Sequence, residues 1–123
     1  MNIYVAAPWA HRSTAKTTAQ QLRDADYKIT SRWHDIWALE DDSTDPLILE
    51  QEAEMDLSDV EDADIVLVLN IEKSEGKAVE QGFALGLGIP VLVVGKRTNV
   101  FHYLPEVTIM PDLARAIEYL GWL

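Results

Sequence analysis

Two stretches of the chain are almost wholly apolar, DIVLVLN at 64–70 and IPVLVVG at 89–95. Neither alternates between apolar and polar positions, so both read as strands covered on two faces, the habit of a parallel sheet. NIYVAA at 2–7 reads as a first strand, RSTAKTTAQQLRDA at 12–25 as a helix, and YKITSR at 27–32 as a second strand. PLILEQEAEMDLSDVEDA at 46–63 has the spacing of a long amphipathic helix, with Pro46 in its first turn and Leu49, Ala53, Leu57 and Val60 as its apolar stripe. A helix is expected over about 77–88, a short last strand over VTIM at 107–110, and a final helix over DLARAIEYL at 112–120. From Ala78 onward the 77–88 helix reads as packed on nearly every side, with Ala78, Gly82 and Gly86 forming a row of small residues.

This alternation predicts an α/β fold: a Rossmann- or flavodoxin-like, doubly wound sheet of about five parallel strands with helices on both faces. Right-handed crossovers leave 2-1-3-4-5 as the leading strand order. The length, 123 residues, fits one domain over 1–123. In such sheets ligands sit beyond the carboxyl ends of the strands where the winding reverses. The loops at 7–12 and 71–77 are therefore the places to look for chemistry.

Charge narrows the choice of partner. The net charge is −11, and residues 40–64 alone carry twelve acidic side chains and no basic ones. Such a surface disfavours a nucleic-acid polymer, whose phosphates need Lys and Arg. The remainder of the chain is nearly balanced and leaves room for a small anion. No apolar run approaches the ~18 residues of a membrane helix, and no signal segment is evident at the N-terminus. The absence of cysteine excludes disulfide and thiol chemistry and fits a cytoplasmic setting.

Within the expected crevice, Glu80 stands out as a carboxylate in a helix that from Ala78 onward has Gln81 as its only other polar side chain. It reads either as a first-turn acid favoured by the helix dipole or as a partly desolvated nucleophile or base. Ser74 and Gly76 in SEG fit a phosphate-cradling turn, and equally an ordinary serine-capped helix start. Asp56 lies beside the apolar stripe of the acidic helix, placed to face a site or water. Most of its acidic neighbours are expected to be solvated, and Asp64 to start the third strand. Tyr4 lies inside the first strand and needs a partner for its hydroxyl. Trp9, His11 and Arg12 follow that strand, where an aromatic face suits a base and Arg12 a phosphate. Trp33, His34 and Trp37 follow the second strand and fit base stacking, lid packing or a subunit contact. The three histidines have no metal-ligand spacing, so neither metal nor other cofactor is expected.

The ordered set resembles the nucleoside 2-deoxyribosyltransferase family, including its 2'-deoxynucleoside 5'-monophosphate N-hydrolase branch and its small phage- or bacterial-type members. It consists of Tyr4 in strand one, Asp56 eight residues before Asp64, then S-x-G-x-x-x-E at 74–80 followed by a small-residue helix. The resemblance runs from IYVAAPWAHR through SEGKAVEQGFALGLGIPVLVVG. It implies that Glu80 is the nucleophile at the anomeric carbon, that Asp56 handles the proton of the leaving base, and that Tyr4 orients Glu80. Ser74, where the nucleoside transferases tend to carry a carboxylate, implies a nucleotide substrate with its 5'-phosphate near Ser74 and Gly76. The resemblance also implies a homo-oligomer, a dimer or larger, in which Asn99 or His102 completes a neighbouring site. The loop APWAHR departs from the hydrolases' phosphate loop, and TNVFHYLP lacks their serine.

The function so implied is cleavage of the N-glycosidic bond of a 2'-deoxynucleoside 5'-monophosphate by an N-hydrolase. The alternatives are a nucleoside 2-deoxyribosyltransferase, a catalytically silent nucleotide-binding module, and an interaction protein using the acidic helix.

Overall fold

The computed structural model describes residues 1–36 and 45–123; Trp37, one of the aromatic candidates, lies outside them. Five parallel strands, β1 (Asn2–Ala6), β2 (Lys28–Ile29), β3 (Ile65–Leu69), β4 (Val91–Val94) and β5 (Val107–Met110), form one sheet in the order β2-β1-β3-β4-β5. Helices α1 (Arg12–Asp24), α2 (Pro46–Glu61), α3 (Glu75–Gly86) and α4 (Leu113–Leu120) connect and cover it. This is the expected architecture and strand order. None of the described helices is long and apolar enough to cross a membrane.

The central strand β3 is buried at all five positions, which its unbroken apolar sequence requires. Ile3, Val5, Leu67 and Leu92 anchor the core around it. Each helix after the first begins on a side-chain cap: Asp45 accepts from the Leu47 N–H, Ser74 from Lys77 and Asp112 from Arg115.

Three departures from the sequence reading bear on function. First, β2 is two residues long instead of six. Its pairing ends because the Ser31 hydroxyl, 3.0 Å from the Val5 N–H, accepts the hydrogen bond that a strand carbonyl would take. The chain is then free to turn Trp33 under β1, where its Nε1–H donates to the Val5 carbonyl at 2.8 Å.

Second, the stripe on α2 buries only its C-terminal end. Val60 is buried and Leu57 half-buried, whereas Leu49 and Ala53 are exposed, so the N-terminal half of α2 stands as a wall beside α3.

Third, α3 starts at Glu75 and is buried on one side only: Lys77, Glu80, Gln81 and Ala84 face inward while Val79 is 60% exposed. Gly82 and Gly86 have open space where a Cβ would be, so the small-residue row makes no close approach within the chain.

Candidate active site

The strand order reverses between β1 and β3, and a cavity of about 370 Å³ opens beside that reversal. Ala7, Trp9 and Trp33 form one wall, supplied by the ends of β1 and β2. Glu52, Ala53, Asp56 and Leu57 of α2 form a second, and Ser74, Gly76, Lys77, Val79 and Glu80 at the start of α3 a third. Most of the sequence candidates therefore meet at one place.

Glu80 is 8% exposed and reaches back toward β1, where the Tyr4 hydroxyl donates a hydrogen bond to its Oε2. Tyr4 is fully buried, and its position in β1 fixes the direction of that hydroxyl. Burial pushes the Glu80 carboxyl up to about 8; the Tyr4 hydrogen bond pulls against that, and the nearby Asp56 adds to it. The Tyr4 phenol is itself raised far out of the physiological range by burial and by the facing carboxylates, so it stays a hydrogen-bond donor.

Asp56 is half-buried, with Oδ1 out of reach of water and without a hydrogen-bond partner. Burial, then Asp59 and Glu52, raise its carboxyl to about 7, with Arg32 opposing. Two carboxyls near one cavity are thus both raised toward neutrality, where each can hold or release a proton. The next turn of α2 adds to that rise through Asp59. Asp59, 3% exposed, accepts from Arg32 Nη2 at 2.8 Å and from Arg32 Nε at 3.1 Å, tying α2 to the segment after β2. Most acidic neighbours of Asp56 are exposed, as expected, and Asp59 is the buried exception among the described residues of α2.

Ser74 serves as the α3 cap: its Oγ accepts from the Lys77 N–H at 3.3 Å, which leaves its own O–H free to donate into the cavity. Gly76 lies in the first turn with nothing within 4 Å of where a Cβ would stand. Trp9 and Trp33 lie with ring centroids 6.1 Å apart and tilted by 39°, two aromatic surfaces on the same wall. Arg12 packs its guanidinium over the Trp9 ring, 4.9 Å from the centroid, on the edge of this wall and not among the cavity-lining side chains.

Asn99 and His102 lie away from this cavity. Asn99 caps a short 3-10 turn at Val100–Tyr103, accepting from the Phe101 N–H. His102 is 2% exposed; its Nδ1 accepts from the Thr98 N–H at 3.0 Å, and its Nε2 lies 3.3 Å from the Gln81 carboxamide oxygen. This pairing fixes the Nε2–H tautomer, and burial lowers the ring's basicity. Within one chain both residues are structural. Asp64, as expected, serves the sheet, its Oδ2 accepting from the Asn2 N–H at 2.7 Å. His34 is also interior and holds Ser31, 2.8 Å away. Among the described residues no group of three or more His, Cys, Asp or Glu side chains is arranged to hold a metal ion.

Two residues at the cavity were not singled out from the sequence. Lys77 is almost buried, and its ammonium donates to Asn70 Oδ1 and to the Glu72 carbonyl, both at 2.6 Å. Glu52 sits one helical turn before Asp56, with Oε1 sealed from solvent and unpartnered. Neither carries a local signal: Lys77 looks like a first-turn surface lysine, and Glu52 is one acid of many.

The sequence pattern of the family described as nucleoside 2-deoxyribosyltransferase matches residues 3–112. No curated protein sequence matches the chain. Among solved structures, the chain is similar to the CMP N-glycosidase BcmB of Clostridium botulinum, with 13% identity, 100% of both chains covered and a TM-score of 0.65. It is similar to a 2-deoxyribosyltransferase of the psychrotolerant bacterium Bacillus psychrosaccharolyticus, with 22% identity, 97% of this chain and 92% of that one covered, and a TM-score of 0.64. The solution structure of BlsM is a third, with 16% identity, 95% and 85% coverage and a TM-score of 0.65. At these identities the structures establish a shared fold.

Proposed function

The chain belongs to the nucleoside 2-deoxyribosyltransferase family, a family of enzymes that act at N-glycosidic bonds, and from that premise we propose that it hydrolyses the N-glycosidic bond of a 2'-deoxynucleoside 5'-monophosphate. The observation that carries the reading is the buried Glu80, held by the Tyr4 hydroxyl and sharing a cavity with Asp56.

Glu80 attacks the anomeric carbon as the C1'–N bond breaks, and the bonding pair leaves with the base. Asp56 gives its proton to that base. Water then attacks C1', passes a proton to Asp56 and releases Glu80. The transition state has oxocarbenium character, so a carboxylate with little competing solvent stabilises it. A 2-deoxyribosyl group lacks the electron-withdrawing 2'-hydroxyl and forms that cation more readily.

Ser74 and Gly76 receive the 5'-phosphate, with Arg12 at the rim, and Trp9 and Trp33 stack on the base. The same reading includes a homo-oligomer in which the exposed Asn99 reaches a neighbouring site, while the buried His102 ring holds the turn that carries it. The exposed apolar side chains of Val79, Leu87, Val100, Phe101 and Tyr103 support it.

The test is free-base release, followed chromatographically, from each common 2'-deoxynucleoside and its 5'-monophosphate, with and without an acceptor base. Release from monophosphates without acceptor is expected. A new nucleoside formed only with acceptor would make the protein a transferase, and silence across the panel would overturn cleavage altogether.

A further inference from the structure

Glu52 and Asp56 are four residues apart on α2, so their side chains lie on one face, separated by about 6 Å along the axis. Both line the cavity, and each keeps one carboxyl oxygen sealed from solvent without a donor. Tyr4 satisfies Glu80, and Asp56 is occupied by the proton of the leaving base. Beyond helping to raise the Asp56 carboxyl, Glu52 has no role in that chemistry. Its neighbours Glu50 and Glu54 are exposed, so an acid in this turn has a solvated alternative that Glu52 does not take. An ionised carboxylate only accepts hydrogen bonds, so what Glu52 lacks is an N–H or O–H donor.

The positions give the donor an address. Glu80 marks the anomeric carbon and Asp56 the leaving nitrogen; the next turn of the same helix face stands at the far edge of the base. On that edge an exocyclic amino group is a donor that a carboxylate accepts well, while the carbonyl oxygen of a deaminated base at the same position sets oxygen against oxygen. We propose that Glu52 is a base-specificity residue that accepts a hydrogen bond from the exocyclic amino group of the nucleobase, so that the cavity takes cytosine or adenine over their deaminated counterparts. The inference rests on the reading of this cavity as a nucleotide site.

The experiment compares the deaminated pairs dCMP with dUMP and dAMP with dIMP, in which the amino group becomes a carbonyl and the adjacent ring nitrogen gains a proton. It reads kcat/KM for base release in the parent protein, and calorimetric Kd in the Glu80→Gln protein. In at least one pair the amino member is expected to be favoured by about 10-fold or more. Glu52→Gln, whose amide can donate to a carbonyl, should bring that preference to within about twofold or invert it, with Glu52→Ala as the second variant should Glu52→Gln fold poorly. Equal handling of both members of both pairs by the parent would overturn the proposal, as would a preference that survives in the variants. Glu52-dependent binding preference without cleavage would keep the proposal and remove the hydrolase reading. No binding of any of the four nucleotides would remove both.

Discussion

The Tyr4 hydroxyl on β1 donates to Glu80 Oε2 on α3, across 76 residues of chain, and no water reaches Tyr4. The bond holds the carboxylate in one rotamer and offsets part of the cost of its burial. Glu80→Gln keeps an oxygen to accept from Tyr4, so the fold should survive. Base release should fall by about 10³-fold or more, a loss of about 4 kcal/mol in transition-state stabilisation. Near-parental turnover in a chromatographic assay would remove the nucleophile role.

The same substitution should reveal the cost of the charge. The folded-state value of Glu80 is raised to about 8, so its contribution to stability is complete below the unfolded value of about 4.5. That contribution is lost as pH rises through about 8. Glu80→Gln should therefore raise Tm relative to the parent at pH 8.5 by on the order of 5 °C, and by much less at pH 5. Equal shifts at both pH values in thermal melts would mean that the carboxylate is not disfavoured by burial.

Two carboxyls raised to about 8 and about 7 give a narrow pH optimum. The proposed mechanism needs Glu80 ionised and Asp56 protonated, so kcat/KM should be bell-shaped with its maximum between these values and fall on both sides. The two limbs belong to the pair as a whole. Tyr4→Phe removes the bond that lowers the Glu80 value, so it should shift the profile upward and cost about 10- to 100-fold at the optimum. An unshifted profile would assign Tyr4 to packing alone.

Ser74 caps α3 and borders the cavity, so a carboxylate in its place keeps the cap while repelling an anion. Ser74→Asp should raise KM for a deoxynucleoside monophosphate by at least about 10-fold more than for the matching deoxynucleoside. Equal effects in paired steady-state measurements would place the phosphate elsewhere.

Tyr4, Asp56 and Glu80 were singled out together through the ordered pattern they share with the family; strand and helix periods alone left each an alternative, as a core tyrosine, a solvated acid and a first-turn acid. Glu52 and Asp59 were not singled out. Each belongs to a run in which every acid has the same local signature, and only the way α2 leaves the sheet for α3 decides which turn inward. The early end of β2 was equally hidden, since it depends on the Ser31 hydroxyl meeting one particular N–H, that of Val5. The helix of small residues looked buried because the sequence does not say that one chain leaves the Val79 face uncovered.

Lys77 shows what such hidden contacts do for the site. Its ammonium, at the positive end of α3, bonds only neutral acceptors, Asn70 Oδ1 and the Glu72 carbonyl. Asn70 in turn donates to the Lys96 carbonyl at 2.8 Å and to Thr98 Oγ1 at 3.0 Å, and Gly95, with φ of +128°, lets the end of β4 pass close to Asn70. The loop that carries Ser74 is thus pinned from below by Lys77 and from the side by the β4 end. Lys77→Met keeps the apolar stem but leaves two acceptors without this donor, and should cost about 1–3 kcal/mol of stability. Because Glu80 and Tyr4 lie a turn away and keep their bond, kcat should change little while KM for the monophosphate rises about 10-fold. Asn70→Ala should be strongly non-additive with it in a double-mutant cycle. Additive effects, or a loss confined to kcat, would mean that the clamp does not position the loop.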